Sequence, residues 1–123
     1  MDTTLDDLLG RRLRLHQPAR GFRAGLDSLL LAAAVPATPG QSVLELGCGP
    51  GAAILALAAR VPGLSLCALE LQPAYAALAR ANALLNAIPL EVIDGDVADP
   101  PAALRARAFD HVLANPPFFD RAA

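Results

Sequence analysis

Residues 43–51 read Val-Leu-Glu-Leu-Gly-Cys-Gly-Pro-Gly and decide the fold of this 123-residue chain. An apolar run ends in a glycine loop, and the alanine-rich segment 52–60 follows with helical spacing. Glycine lets a backbone pass close to a ligand and adopt φ values that other residues avoid. The start of a helix adds free N–H groups and the positive end of its dipole. The stretch therefore predicts a strand, a ligand-facing loop and a helix, against the simpler interpretation of a tight turn.

Short apolar runs continue to alternate with helical patterns after this loop. We predict strands at 42–46, 64–70, 90–94 and 109–114, and helices at 52–60, 73–87 and 99–105, the last one capped by Asp99. Upstream, we predict a helical or extended lead-in at 4–9, a strand or hairpin arm at 11–15, a loop from 17 to 25 and a helix at 26–35. This order predicts an α/β fold with a parallel sheet and helices on both faces. We divide the chain into an arm and helix at 1–40 that pack on a core at 41–123.

The composition of the chain argues against a membrane-spanning protein. The net charge is −2 and the apolar fraction is 54%, much of it alanine. The apolar stretch 52–69 is interrupted by Arg60, Pro62 and Gly63, so a helix followed by a strand is predicted rather than a membrane span. The acidic start of the chain does not resemble a signal peptide. We expect no membrane partner.

The two cysteines predict a reducing compartment. Cys48 lies in the glycine loop and Cys67 in an apolar strand, so both fit reduced thiols in small spaces better than a disulfide framework. This usage predicts a cytoplasmic protein. His16 and His111 have no Cys or His neighbours at ligand spacing, so no metal site is predicted.

The basic residues are unevenly spread. All ten are arginine, and five lie within residues 11–23, where no acidic residue occurs: Arg11, Arg12, Arg14, Arg20 and Arg23. Phosphate contacts need such clusters, so the arm is a candidate RNA-binding surface. The alternative is a solvated basic face of a hairpin.

Polar groups follow each predicted strand of the core. Glu70 ends the second strand, where an acid commonly accepts hydrogen bonds from ribose hydroxyls. The segment 94–97 ends the third strand and offers a carboxylate to an adenine amino group, or alternatively forms a turn. Asn115-Pro116-Pro117-Phe118 follows the fourth. Prolines fix the backbone there, so amide and carbonyl oxygens are held for a planar NH2-bearing substrate, with a ring to stack on it.

These motifs resemble a known family. Residues 43–51 are similar to the first motif of class I S-adenosylmethionine-dependent methyltransferases. The Asn-Pro-Pro-Phe stretch at 115–118 resembles the catalytic motif of their branch that methylates amino nitrogens. Residues 17–23 and 26–32 are similar to bacterial valine-tRNA adenine-N6 methyltransferases. The resemblance implies a Rossmann-like parallel sheet, S-adenosylmethionine as cofactor and RNA, most simply tRNA, as substrate.

The resemblance also implies roles for individual residues. Asn115, the Pro116 carbonyl and Phe118 are expected to hold and stack the target base. Arg23 and Asp27 are expected near the approach to the cofactor. Cofactor contacts are expected from Glu45, Gly47, Cys48, Gly49, Gly51, Glu70, Leu71, Asp96, Val97 and Asn115.

Alternatives remain open from the sequence. A protein glutamine-N5 methyltransferase acting on release factors would use the same amide-holding chemistry. A nicotinamide-dependent dehydrogenase would explain the glycine loop and Glu70 but not residues 115–118. A cofactor-binding remnant without activity is the fourth possibility. Because the family's sheet normally has seven strands and four are predicted here, we expect a truncated sheet and a fragment of a longer protein. The oligomeric state is left open.

Overall fold

The computed structural model describes residues 1–20 and 25–114. The chain begins with two strands, β1 (Thr3–Leu8) and β2 (Leu13–Pro18), which pair antiparallel. The other elements are α1 (Leu26–Ala34), β3 (Ser42–Leu46), α2 (Ala52–Arg60), β4 (Ser65–Glu70), α3 (Pro73–Leu85), β5 (Glu91–Asp94), α4 (Ala102–Arg105) and β6 (His111–Ala114). Residues 4–8, predicted to be helical or extended, are therefore strand, and Leu9 with φ of 53° begins the turn of the hairpin. Gln17 and Pro18, predicted in a loop, end β2.

A four-stranded parallel sheet organises the core, in the order β5-β4-β3-β6. β3 lies between β4 and β6, so its apolar residues Val43 and Leu44 are both buried. Central parallel strands are covered on both faces, which explains this nearly continuous apolar run. The predicted α/β class and parallel sheet are confirmed. Among the described residues β6 ends one edge of the sheet, where Val112 is 57% exposed.

The two faces of the sheet are covered unequally. On one face α2 buries Ile54, Leu55 and Leu57 in the main apolar cluster, together with Val43 of β3. On the other face, within the described ranges, the only helix is the four-residue α4, whose Leu104 packs with sheet residues of the second cluster. Asp99 does not cap α4 as predicted. The helix begins after Pro101, and the Asp99 carboxylate instead pairs with Arg105.

The N-terminal hairpin and α1 pack against the helical face. Leu13 and Leu15 of β2 are fully buried in the main cluster. α1 lies along α2, and the Arg60 guanidinium at the end of α2 donates to the carbonyls of Ala32 and Val35 at 3.0 and 2.6 Å. Over the described ranges, no helix is both long and apolar enough to cross a membrane.

The end of α3 carries local backbone strain. The Ile88 N–H bonds the Ala83 carbonyl at 2.9 Å and the Ala87 N–H bonds the Leu84 carbonyl at 3.1 Å, which is the Schellman pattern. The left-handed residue of this motif is Ala87, with φ of 54°. Glycine usually occupies this position because a Cβ is disfavoured there.

We predict that Ala87→Gly stabilises the protein. Removing the Cβ from the left-handed position should raise the free energy of unfolding by about 1 kcal/mol. Urea unfolding followed by circular dichroism measures the change. Ala77→Gly, at an exposed interior position of α3, is the control and should lower stability by about 1 kcal/mol. Equal losses in the two variants would contradict the strain at Ala87.

Candidate functional site

The sheet register brings the predicted strand-end residues to one edge. Leu46 pairs with both Leu69 and Ala114, and Glu70 pairs with Asp94. The loop after β3, the end of β4, the end of β5 and the last described residue of β6 therefore share the carboxyl edge, where ligands bind in open parallel sheets. Arg23, Asn115, Pro116 and Phe118 lie outside the described residues.

The glycine loop is built from left-handed residues. Gly47, Gly49 and Gly51 have φ of 70°, 56° and 92°. A Cβ on Gly51 would come within 3.3 Å of the Leu55 side chain, so this glycine allows α2 to start close to its own next turn. A Cβ on Gly47 would meet no atom within 4 Å. Gly47 thus faces free space that a ligand could occupy beside bare backbone.

Glu70 holds the glycine loop in place. One carboxylate oxygen accepts the Gly49 N–H and the other accepts the Gln72 N–H, both at 2.8 Å. The side chain is only 7% exposed. The predicted role of Glu70 concerned a ligand alone, and the structure adds that it fixes the loop and the chain leaving β4. The next residue, Leu71, is 60% exposed beside it.

Glu45 is a buried carboxyl group beneath the start of α2. It is 1% exposed, and its Oε1 accepts the Ile54 N–H at 3.3 Å. Burial raises the pKa of Glu45 to about 8, the hydrogen bond from Ile54 opposes that shift, and the charge of Glu70 adds to it. Without a cation beside it, this carboxyl group is therefore largely protonated at neutral pH.

Cys48 lines the same loop as a neutral thiol. Its side chain is buried, and its Sγ lies 3.4 Å from the Gly49 carbonyl oxygen. Burial raises the pKa of Cys48 far above its usual value, and the charges of Glu45 and Glu70 raise it further. A thiol held protonated is a poor nucleophile, so Cys48 contributes shape to the loop rather than covalent chemistry.

The end of β5 presents carboxylates that already have protein partners. Asp94 pairs with Arg80 at 2.7 Å, and an Asp96 oxygen accepts the Ala98 N–H at 2.9 Å. Asp96 therefore forms a turn with one oxygen and keeps its second oxygen as an acceptor. Between them, the Gly95 N–H donates to the Glu70 carbonyl at 3.0 Å, and a Cβ there would lie 3.0 Å from the Leu69 side chain. Val97 is 44% exposed.

One loop contact was missed by sequence reasoning. Asn82 of α3 is fully buried, and its amide donates to the Pro50 carbonyl of the glycine loop at 2.8 Å. The available signal was its position on the buried stripe of α3 that contains Ala76, Ala79 and Ala83. A polar side chain on such a stripe must find hydrogen-bond partners within the protein.

The basic arm is partly neutralised in the structure. The Arg12 guanidinium donates to the Ala59 carbonyl near the end of α2 at 2.9 Å, and Arg14 pairs with Asp7 of β1 at 3.4 Å. The acidic partner of Arg14 comes from the neighbouring strand, which the count of charges within residues 11–23 does not include. Arg11, with φ of 70°, lies in the exposed hairpin turn, and Arg20 is exposed after β2. Asp27 is exposed in the first turn of α1.

Comparison with known proteins identifies the family. The profile of the family called Methyltransferase small domain matches residues 23–123. The chain belongs to this family. The tRNA1(Val) (adenine(37)-N6)-methyltransferase of Porphyromonas gingivalis is 32% identical over 117 residues, which cover 89% of this chain and 46% of that protein. The chain thus spans about half the length of the curated relatives it matches.

Solved structures of methyltransferases share the fold. The tRNA (uracil-54, C5)-methyltransferase of Pyrococcus abyssi, solved with S-adenosyl-L-homocysteine, superposes with a TM-score of 0.72 at 18% identity. The match covers 95% of this chain and 29% of that one. TrmN from Thermus thermophilus matches with a TM-score of 0.58 at 29% identity, over 75% of this chain and 27% of that one. The sheet is therefore of the Rossmann-like class I methyltransferase type, as predicted.

We predict that Glu45 makes stability depend on pH. The folded protein keeps the Glu45 proton up to about pH 8, whereas the unfolded chain loses it near the ordinary value of 4.5. The folded state therefore binds more protons between these values, and stability falls as pH rises through them, by at most about 1.4 kcal/mol per unit. Glu45→Gln retains an acceptor for Ile54 and should flatten this slope.

Urea unfolding at pH 5, 6, 7 and 8 without cofactor measures the effect. Glu91→Gln is the control, because it removes a carboxyl group from an exposed ion pair with Arg107. Parallel stability curves for the wild type and Glu45→Gln would show that Glu45 does not titrate in this range.

Proposed function

We propose that this chain forms the cofactor-binding part of an S-adenosylmethionine-dependent methyltransferase that acts on the N6 amino group of adenine in tRNA. The proposal rests on one observation, that the candidate residues at the ends of neighbouring strands share the carboxyl edge of the sheet. The glycine loop, Glu70 and Asp96 lie along the carboxyl edge of the sheet, at which β6 also ends. Asn115-Pro116-Pro117-Phe118 follows β6 directly in the chain. The named relatives methylate adenine in tRNA, which favours this substrate over a release-factor glutamine.

The residues present fit the cofactor. Bare backbone at Gly47 leaves room for close approach, and the N-terminus of α2 offers a positive dipole end. Each Glu70 oxygen accepts one backbone N–H and retains a second lone pair for a ribose hydroxyl. The free Asp96 oxygen can accept from an adenine amino group, with Leu71 and Val97 as exposed apolar side chains on the adjacent strand ends. Glu45, buried under the loop, would become ionised beside the cofactor's ammonium group.

Catalysis follows from positioning. The cofactor supplies a methyl group on a positively charged sulfur. An adenine amino nitrogen is a weak nucleophile because its lone pair is shared with the ring. We assign the Asn115 side-chain oxygen and the Pro116 carbonyl to accept the two amino hydrogens, which turns the lone pair toward the methyl group. Phe118 stacks on the flipped base, a contact worth about 1–3 kcal/mol. As the N–C bond forms, the S–C bond would break and leave a neutral thioether. No side-chain base would be required, because the cationic nitrogen then releases its proton to water.

RNA would approach from the hairpin side. We propose Arg11 and Arg20 as phosphate contacts because both are exposed, with Arg23 between them and α1 in the sequence. Arg12 and Arg14 contribute less, since they already bind Ala59 and Asp7. Each phosphate contact should make binding more dependent on salt.

A methyl-transfer assay tests the function. With labelled S-adenosylmethionine and tRNA, we expect label in N6-methyladenosine after nucleoside digestion. Asn115→Ala should lower the rate by about 100-fold or more, because one preorganised acceptor is lost at the reacting centre. Transfer to a release factor but not to tRNA would establish the glutamine alternative. Cofactor binding without transfer to either substrate would favour a binding role alone.

We predict that Gly47→Ala weakens cofactor binding at least tenfold while the protein still folds. Gly40 provides a matched control, since it also has a positive φ, 91°, and an added Cβ there also meets no atom within 4 Å. It lies in the turn before β3, at the opposite end of that strand. Both variants carry similar backbone strain, about 1–2 kcal/mol.

Calorimetry with S-adenosylmethionine and thermal unfolding should separate the two glycine variants. We expect equal losses of stability, with at least a tenfold weaker affinity only in Gly47→Ala. Unchanged affinity in Gly47→Ala would contradict the placement of the cofactor beside the loop.

A further inference from the structure

Two asparagines, Asn82 in α3 and Asn86 at the C-cap of this helix, close the outer edge of β2. The His16 N–H donates to Asn82 Oδ1 at 2.7 Å, and Asn82 Nδ2 donates to the His16 carbonyl at 2.9 Å. One turn later, the Arg14 N–H donates to Asn86 Oδ1 at 2.9 Å, and Asn86 Nδ2 donates to the Arg14 carbonyl at 2.6 Å. Each amide thus satisfies one residue of β2 as a neighbouring strand would. Four helical residues rise about 6.0 Å, which nearly matches two strand residues, about 6.7 Å.

Each asparagine amide has a second N–H hydrogen, and the two side chains donate it to different acceptors. Asn82 donates it to the Pro50 carbonyl of the glycine loop at 2.8 Å, whereas Asn86 donates it to the Asn82 backbone carbonyl of its own helix at 2.7 Å. Asn82 is fully buried. One side chain therefore joins three parts of the protein: α3, the N-terminal hairpin and the cofactor loop. Asn86 joins only the first two.

The Asn82 amide binds the cofactor loop at the Pro50 carbonyl, where the backbone conformation is unusual. Pro50 lies between Gly49 and Gly51, the residues whose left-handed backbones shape the loop. On the other side of the loop, Glu70 holds the Gly49 N–H. The Leu69 carbonyl also accepts the Gly47 and Cys48 N–H groups at 2.8 and 3.3 Å. Among the described residues, the side chains that hold the loop from outside are the Glu70 carboxylate and the Asn82 amide, and this amide also binds the backbone of His16.

We propose that Asn82 is a positioning residue that couples the N-terminal hairpin to the cofactor loop, so that cofactor affinity depends on the hairpin and hairpin order depends on the cofactor. Such coupling is reciprocal by necessity. The inference rests on the proposed function, because S-adenosylmethionine is the ligand at the loop. It deepens that function by linking the surface assigned to RNA with the site of methyl transfer.

Calorimetry on the purified protein compares Asn82→Ala with Asn86→Ala. The second variant is the matched control, because it also removes a side-chain amide that binds the hairpin. We expect Asn82→Ala to weaken S-adenosylmethionine binding about five- to tenfold, the equivalent of a buried hydrogen bond that orders the loop. Asn86→Ala should change the affinity less than twofold. Both are measured at a temperature at which circular dichroism shows them folded, so that lost stability alone does not lower the affinity. Equal effects of the two variants would overturn the coupling.

Hydrogen exchange on the wild type gives a second test that does not depend on how Asn82→Ala folds. Cofactor binding should slow exchange of the peptide 13–18 by about threefold or more, and the turn at 38–41 serves as the reference segment. Asn86→Ala should retain this protection of the hairpin, and Asn82→Ala, where folded, should lose it. Protection of the loop without protection of 13–18 in the wild type would overturn the coupling. A wild type that binds no cofactor would overturn the proposed function as well, which distinguishes the two failures.

Discussion

The hydrogen bond from the Gly49 amide to Glu70 is the constraint on which the site depends. The three left-handed glycines of the loop have no side chains, and their backbone groups still need partners. Glu70 supplies one from the neighbouring strand, and its second oxygen binds the chain that leads into α3. The carboxylate assigned to the ribose is therefore also the support of the loop. The two roles are compatible because a carboxylate has more lone pairs than the two used here.

This support places two acidic groups close together in a buried region. Glu45 lies under α2, where burial raises its pKa to about 8 and the negative charge of Glu70 adds to the shift. The folded protein therefore keeps this carboxyl group largely neutral near pH 7 when no cation lies beside it. A ligand with an ammonium and a sulfonium group would offset that repulsion. The buried Glu45 carboxyl group and the charge of Glu70 thus favour a cationic cofactor over a neutral one, consistent with the class of reaction proposed.

The core was predictable because local patterns determine it. Segments 42–46 and 52–60 agree to the residue with β3 and α2, since apolar runs and glycine punctuation act within a few residues. The N-terminal arm was only partly predicted, because β1 and β2 depend on their mutual pairing and on α3. The pairing of Arg14 with Asp7 was not predicted for the same reason, since Asp7 lies on a different strand. Asn82 escaped notice because its partners, His16 and Pro50, are distant in sequence.

The amide-lined edge of β2 has a consequence for self-association. Unpaired strand edges invite other chains to add to a sheet, and natural proteins cover or charge them. Asn82 and Asn86 occupy this edge of the hairpin, so it offers no template for another strand. In the described part of the chain β1 pairs only with β2, and it carries Asp6 and Asp7. The side chain of Asp7 is 49% exposed although it pairs with Arg14, so it places a charge on this edge that discourages edge-to-edge aggregation, while Arg11 of the turn stays accessible to an anionic partner.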